Sequence, residues 1–101
     1  MMIKHIILWQ LSDEFSNEQK INIANNAKEN LESLLGKIPG LTEIKVITEK
    51  LPSSNADMML DSTFESEESL KNYSVNPCHT AVADKYVRPF VKHRSCFDFE
   101  I

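Results

Sequence analysis

The sequence predicts a small α+β fold of order β-α-β-β-α-β. Three observations carry that expectation: strand-like alternation at both ends of the chain, a capped amphipathic helix after the first strand, and a strand pair followed by a broken helix before the last. The 101 residues fit one domain, taken here as residues 1–101. A chain of this size buries only about 60 to 65% of the surface that its unfolded form exposes, so help from a partner is expected.

From Ile3 to Leu11 the side chains alternate between Ile3, His5, Ile7, Trp9 and Leu11 on one side and Lys4, Ile6, Leu8 and Gln10 on the other. Large apolar groups stand on both faces. A strand wetted on one side would show a cleaner polar face, so Ile6 and Leu8 predict that this strand is covered twice. Ser16-Asn17-Glu18-Gln19 is a capping box, and Ala24, Ala27, Leu31, Leu34, Leu35 and Ile38 follow at helical spacing. Gly36 and Pro39-Gly40 end that helix.

Leu41–Lys50 and Asp57–Phe64 read as two strands joined by the turn residues Pro52-Ser53-Ser54-Asn55, hence a hairpin. Ser66 caps a short helix through Leu70 and Tyr73. Asn76-Pro77 breaks it, because the residue before a proline avoids the α region, and the same pair starts a new helix with Asn76 as cap and Pro77 first. Val82, Ala83 and Tyr86 are that helix's expected inner face. After Pro89, residues 91–101 alternate again, with His93, Ser95, Phe97 and Phe99 expected inward and Lys92, Arg94, Cys96, Asp98 and Glu100 outward.

This order is the ferredoxin-like split βαβ, a four-stranded antiparallel sheet with helices on one face. The other face then needs a cover that the chain does not supply. A second copy laid against Ile6 and Leu8 is the simplest, so the expected partner is the chain itself.

Composition narrows the function classes. The net charge of −4 and the absence of a basic stripe speak against nucleic acid. The apolar opening is interrupted by Lys4 and His5, lacks a cleavage site and falls far short of a membrane span, so neither a signal sequence nor a membrane is expected. Cys78 and Cys96 lack metal-ligand spacing, and reduced thiols in a cytoplasmic protein are the expectation. No two of His5, His79 and His93 stand at a spacing such as i, i+4, so no metal site is expected; no glycine-rich phosphate loop or Gly-x-Ser-x-Gly elbow suggests a cofactor.

The opening IKHIILWQL, the IPGL before the second strand and the run TFESEESLKNYSVNPCHTAVADKYVRPFV leading to FDFE resemble the stress-responsive A/B barrel (Dabb) family across nearly the whole chain. The most specific part is Tyr73 with Asn76-Pro77-Cys78-His79, where the family usually shows His-Pro-x-His and Asn76 here replaces the first histidine. The resemblance implies a dimeric α+β barrel with a small-molecule pocket between each sheet and its helices. Some members resemble plant polyketide cyclases, in which a tyrosine and a histidine at the positions of Tyr73 and His79 drive an aldol-type ring closure; related barrels include cofactor-free monooxygenases.

On that footing Tyr73 and His79 are the candidate proton-transferring pair and His5 their orienter. Ile7, Trp9, Ala24 and Ala27, with Leu60, Val82, Phe90 and His93, are the expected pocket lining. All three histidines are expected to point inward, and each also fits a core imidazole hydrogen-bonded to backbone. Cys78 beside His79 faces a different direction on the helix and reads as structural. The candidate functions are a cyclase, lyase or isomerase acting on a small carbonyl or aromatic compound without a cofactor, a non-enzymatic stress-associated structural or binding dimer, and a cofactor-free monooxygenase.

Overall fold

The computed structural model describes residues 2–101. Its elements run β1 (Ile3–Leu11), α1 (Asn17–Glu32), β2 (Leu41–Ile47), β3 (Met58–Phe64), α2 (Glu67–Val75), α3 (Pro77–Tyr86), a 3-10 turn (Arg88–Phe90) and β4 (Val91–Glu100). The four strands form one antiparallel sheet in the order β2-β3-β1-β4. The predicted fold class holds, and the first strand lies inside the sheet beside the last.

Local chemistry sets the boundaries. Ser16 accepts from the Gln19 amide while the Gln19 side chain accepts from the Ser16 amide, so the capping box starts α1. Asn76 closes α2 and opens α3, its Oδ1 accepting from the Cys78 amide at 2.9 Å with Pro77 in the first helical position. The helix α1 ends earlier than its apolar spacing suggests. Leu34 and Ile38 are buried, but Leu35 is exposed, in a turn region that follows the Ser33 cap. The last turn of α1 docks on the outer edge of β2 instead: Glu32 accepts from the Val46 amide at 2.9 Å and Lys28 donates to the Val46 carbonyl at 2.8 Å, so two charged side chains blunt a sheet edge.

The core lies between helices and sheet and contains Ile3, Ile7, Trp9 and Leu11 of β1, Ala24, Ala27 and Leu31 of α1, Val46, Leu60, Phe64 and Tyr73. The other face of β1 carries Ile6 and Leu8 as predicted, with Leu8 41% exposed.

The expectation for β4 is reversed. Register pairs Ile6 with Phe97, Lys4 with Phe99 and Gln10 with His93, and directly paired residues share a face. His93, Phe97 and Phe99 therefore lie on the open face, not the inner one. Arg94, Cys96 and Asp98, paired with Trp9, Ile7 and His5, lie on the helix side. The apolar residues of β4 extend the apolar strip of β1, and Phe97 is 68% exposed.

Candidate functional site

Tyr73 comes from the last turns of α2 and His79 from the first turn of α3. The sharp break at Asn76-Pro77 brings two side chains six positions apart to ring centroids 4.0 Å from one another, tilted by 34°. His5 of β1 approaches Tyr73 from the other side, edge-on at 6.1 Å, and Phe64 packs against Tyr73 at 4.9 Å. The imidazole of His5 is buried and its Nδ1 lies 2.5 Å from Asp98 Oδ1. With the Asp98 carboxylate accepting, Nδ1 carries a proton, and Nε2 is the ring nitrogen left for other contacts. Asp98 stands directly across the ladder from His5, a pairing that follows from the register.

His5, Tyr73 and His79 line one cavity of about 170 Å³. Ile7, Trp9, Leu31 and Leu60 give it an apolar floor, Ala83 and Val87 of the α3 side close it, and Arg88 and Arg94 stand at its rim. A wider groove beyond it, along β4 and α2, shares His5, Leu70, Ser74 and Arg94.

Two of the lining residues carry a buried polar atom without a hydrogen-bond partner of good geometry, the Tyr73 hydroxyl and His79 Nδ1, although the Ser74 backbone lies close enough to His79 to act on its ring. Buried polar atoms are nearly always paired, so two unpartnered atoms on residues that line one cavity single out this part of the molecule. Burial pushes the Tyr73 hydroxyl far above the ordinary phenol range, with Arg94 opposing, so it stays protonated and able to donate. Burial, then the charge of Arg88, hold His79 below the ordinary imidazole range; the Ser74 backbone opposes them less, and His5 and Arg94 add to the lowering. That is the direction expected from its helix-start position. Cys96, beside Asp98, is pushed up by burial and by its hydrogen bond to the carboxylate.

Of the residues expected at a pocket, Ile7, Trp9 and Leu60 line the cavity with the three candidate catalytic groups. Ala24 and Ala27 are buried in the α1 packing, outside the lining. Val82 is half-buried against the core, and Phe90 packs on Phe15 at 5.7 Å. His93 points to the opposite face of the sheet, so His5 and His93 do not meet although their strands are neighbours. Sequence reasoning missed Arg88, Arg94 and Asp98. The alternation of β4 contained the signal for the last two, but it was assigned to the wrong side because Phe97 and Phe99 resemble core residues.

The family profile for the stress-responsive A/B barrel domain matches residues 3–101. The chain belongs to the stress-responsive A/B barrel family. Olivetolic acid cyclase from Cannabis sativa is 28% identical over 102 residues, spanning 98% of this chain and 96% of that protein. A dimeric protein of unknown function with a ferredoxin-like fold from Bacteroides fragilis is 32% identical with a TM-score of 0.91, over 99% of this chain and 96% of that one. The hydroxynitrile lyase of Passiflora edulis shares the fold at 19% identity and a TM-score of 0.73, covering 99% of this stress-responsive A/B barrel chain and 93% of its own.

Proposed function

We propose that this stress-responsive A/B barrel protein is a homodimer that binds a small carbonyl compound between sheet and helices and rearranges it by proton transfer, as a cyclase, lyase or isomerase working through its own side chains. The observation that carries this reading is that Tyr73 and His79, each with a buried polar atom lacking a well-placed partner, line one cavity together with His5. The relatives named as a cyclase and a hydroxynitrile lyase lend support.

In this reading neutral His79 takes a proton from the carbon next to the carbonyl, and the Tyr73 hydroxyl donates to the oxygen as enolate charge develops on it. Return of the proton from His79 to carbon completes an isomerisation; in a ring closure the enolate carbon adds to a second carbonyl instead, and as that C=O π bond opens its oxygen takes the proton from His79. His5, held by Asp98, orients the bound molecule through Nε2.

Deuterium incorporation next to the carbonyl, followed by mass spectrometry over a panel of small ketones and β-keto thioesters in heavy water, tests the proposal. The protein should accelerate exchange for a subset, and His79→Ala should slow it by about a hundredfold or more, the scale of a general base. Exchange that proceeds equally in His79→Ala and Tyr73→Phe would remove the assignment.

A further inference from the structure

The charge around the cavity is one-sided. Arg88 and Arg94 are the fully charged residues in its lining, and no carboxylate lines it. Arg88 is already paired, its guanidinium donating to Asp84 one turn back on α3. Arg94 is not: among the described residues it takes part in no salt bridge. The acids on the same flank, Glu67, Asp98 and Glu100, line the outer groove rather than the cavity, and Asp98 is committed to His5. A chain with a net charge of −4 thus keeps a guanidinium with no salt-bridge partner among the described residues at the rim of the cavity that His5, Tyr73 and His79 line. Arg94 reaches that position by register alone, directly across from Trp9 on the helix side of the sheet. Its charge is felt inside, where it favours the ionised oxygen of Tyr73 and disfavours the protonated ring of His79.

Size and shape add to charge. The cavity of about 170 Å³ compares with the roughly 150 Å³ that holds a benzene ring. Trp9, Ile7 and Leu60 provide the apolar surface for such a ring, while the forked, planar guanidinium matches the two oxygens of a carboxylate. We propose that the ligand is a carboxylate carrying one six-membered ring or closing to one, with its acid group on Arg94 and its carbonyl or hydroxyl between Tyr73 and His79. Arg94 is then a specificity-determining residue that selects anionic over neutral molecules. The inference rests on the reading of the cavity as a ligand site and goes beyond it in naming the charge class.

Trp9 is the single tryptophan of the chain and lines the cavity, so its fluorescence reports occupancy. Titration with 4-hydroxybenzoate and its neutral isostere 4-hydroxybenzamide should show the acid binding about tenfold tighter or more, the scale of a charge-assisted pair, with the gap narrowing as salt is added. Arg94→Gln should erase the preference by weakening acid binding to about the level of the amide, and Arg94→Lys should restore part of it; circular dichroism checks that each variant is folded. Equal binding of acid and amide to the native protein, or a preference that survives Arg94→Gln, overturns the proposal and leaves the proton-transfer reading standing. Failure of both compounds to bind removes the cavity reading and this inference together.

Discussion

At Tyr73 the molecule keeps a phenol hydroxyl out of water with nothing to bond it, and the adjacent His79 buries Nδ1 without a well-placed partner. An unsatisfied buried polar group costs about 1–3 kcal/mol, so stability alone would favour phenylalanine at position 73. Tyr73→Phe should therefore leave thermal stability unchanged or raise it by about 1 kcal/mol, while any α-proton exchange is lost. Loss of stability in calorimetry would mean that the hydroxyl has a partner in the folded protein. His79 carries a pH signature of determined sign. Its pKa is lowered in the fold, so the unfolded chain binds more protons wherever pH lies between the folded value and the ordinary value of about 6.5. Stability contributed by neutral His79 is complete above the ordinary value and is lost as pH falls below it. Denaturant midpoints across that window should drop with acid in the native protein and drop less in His79→Phe. NMR titration should place the His79 midpoint below that of a model histidine, and a raised midpoint would contradict its role as a base.

Among the elements, the break at Asn76-Pro77 and the turn at Gly40 decide whether α2 sits where Tyr73 can reach His5. Gly40 has φ of +83°, and a Cβ built there would lie 2.2 Å from Ser69 Oγ and 2.5 Å from Ser69 Cβ, in the first turn of α2. Two independent penalties follow, the left-handed backbone and the overlap, so Gly40→Ala should cost more than about 1 kcal/mol. Adding Ser69→Gly should recover the steric part alone; full recovery in chemical denaturation would mean that the backbone conformation is not strained. These elements were legible in the sequence because capping boxes, proline pairs and glycine turns act within a few residues. That Tyr73 and His79 belong to one candidate site is implied in the sequence only through the resemblance carried by Tyr73 and the Asn-Pro-Cys-His turn, and the fold brings their rings to 4.0 Å. What sequence could not give was the side on which β4 shows its residues: alternation defines two faces but not which is covered, and Phe97 and Phe99 are as apolar as core residues. The same ambiguity hides Arg94 and Asp98, since both stand on the face expected to meet solvent. The early end of α1 escaped for a related reason, as apolar spacing continues through Leu34 and Ile38 after the helix has turned to dock on β2.

At the scale of the molecule, the reversed β4 strengthens the case for a second copy. Ile6 and Leu8 of β1, Phe97 and Phe99 of β4, and Met59 and Ile47 of β3 and β2 share the sheet face that no helix covers, a side read from the pairing of Ile6 with Phe97, Leu8 with Met59 and Met59 with Ile47. Leu8, Ile47, Phe97 and Phe99 are among the exposed large apolar side chains. Apolar side chains grouped on an open antiparallel sheet, here around the Lys4–Asp61 ion pair, are what two copies bury when they face one another, and the Bacteroides fragilis relative is described as dimeric. Light scattering coupled to gel filtration should give twice the 11.6 kDa chain mass at micromolar concentration. Leu8→Lys puts an ammonium into the centre of that strip, where an unpaired charge loses its water, and should weaken assembly by about a hundredfold or more. Phe97→Lys should do the same from the neighbouring strand, whereas Arg94→Lys, on the helix side of that strand, should leave the mass unchanged. A native monomer at micromolar concentration, or a dimer indifferent to both strip substitutions, would show that the open face is not the interface and that the cover for β1 lies elsewhere.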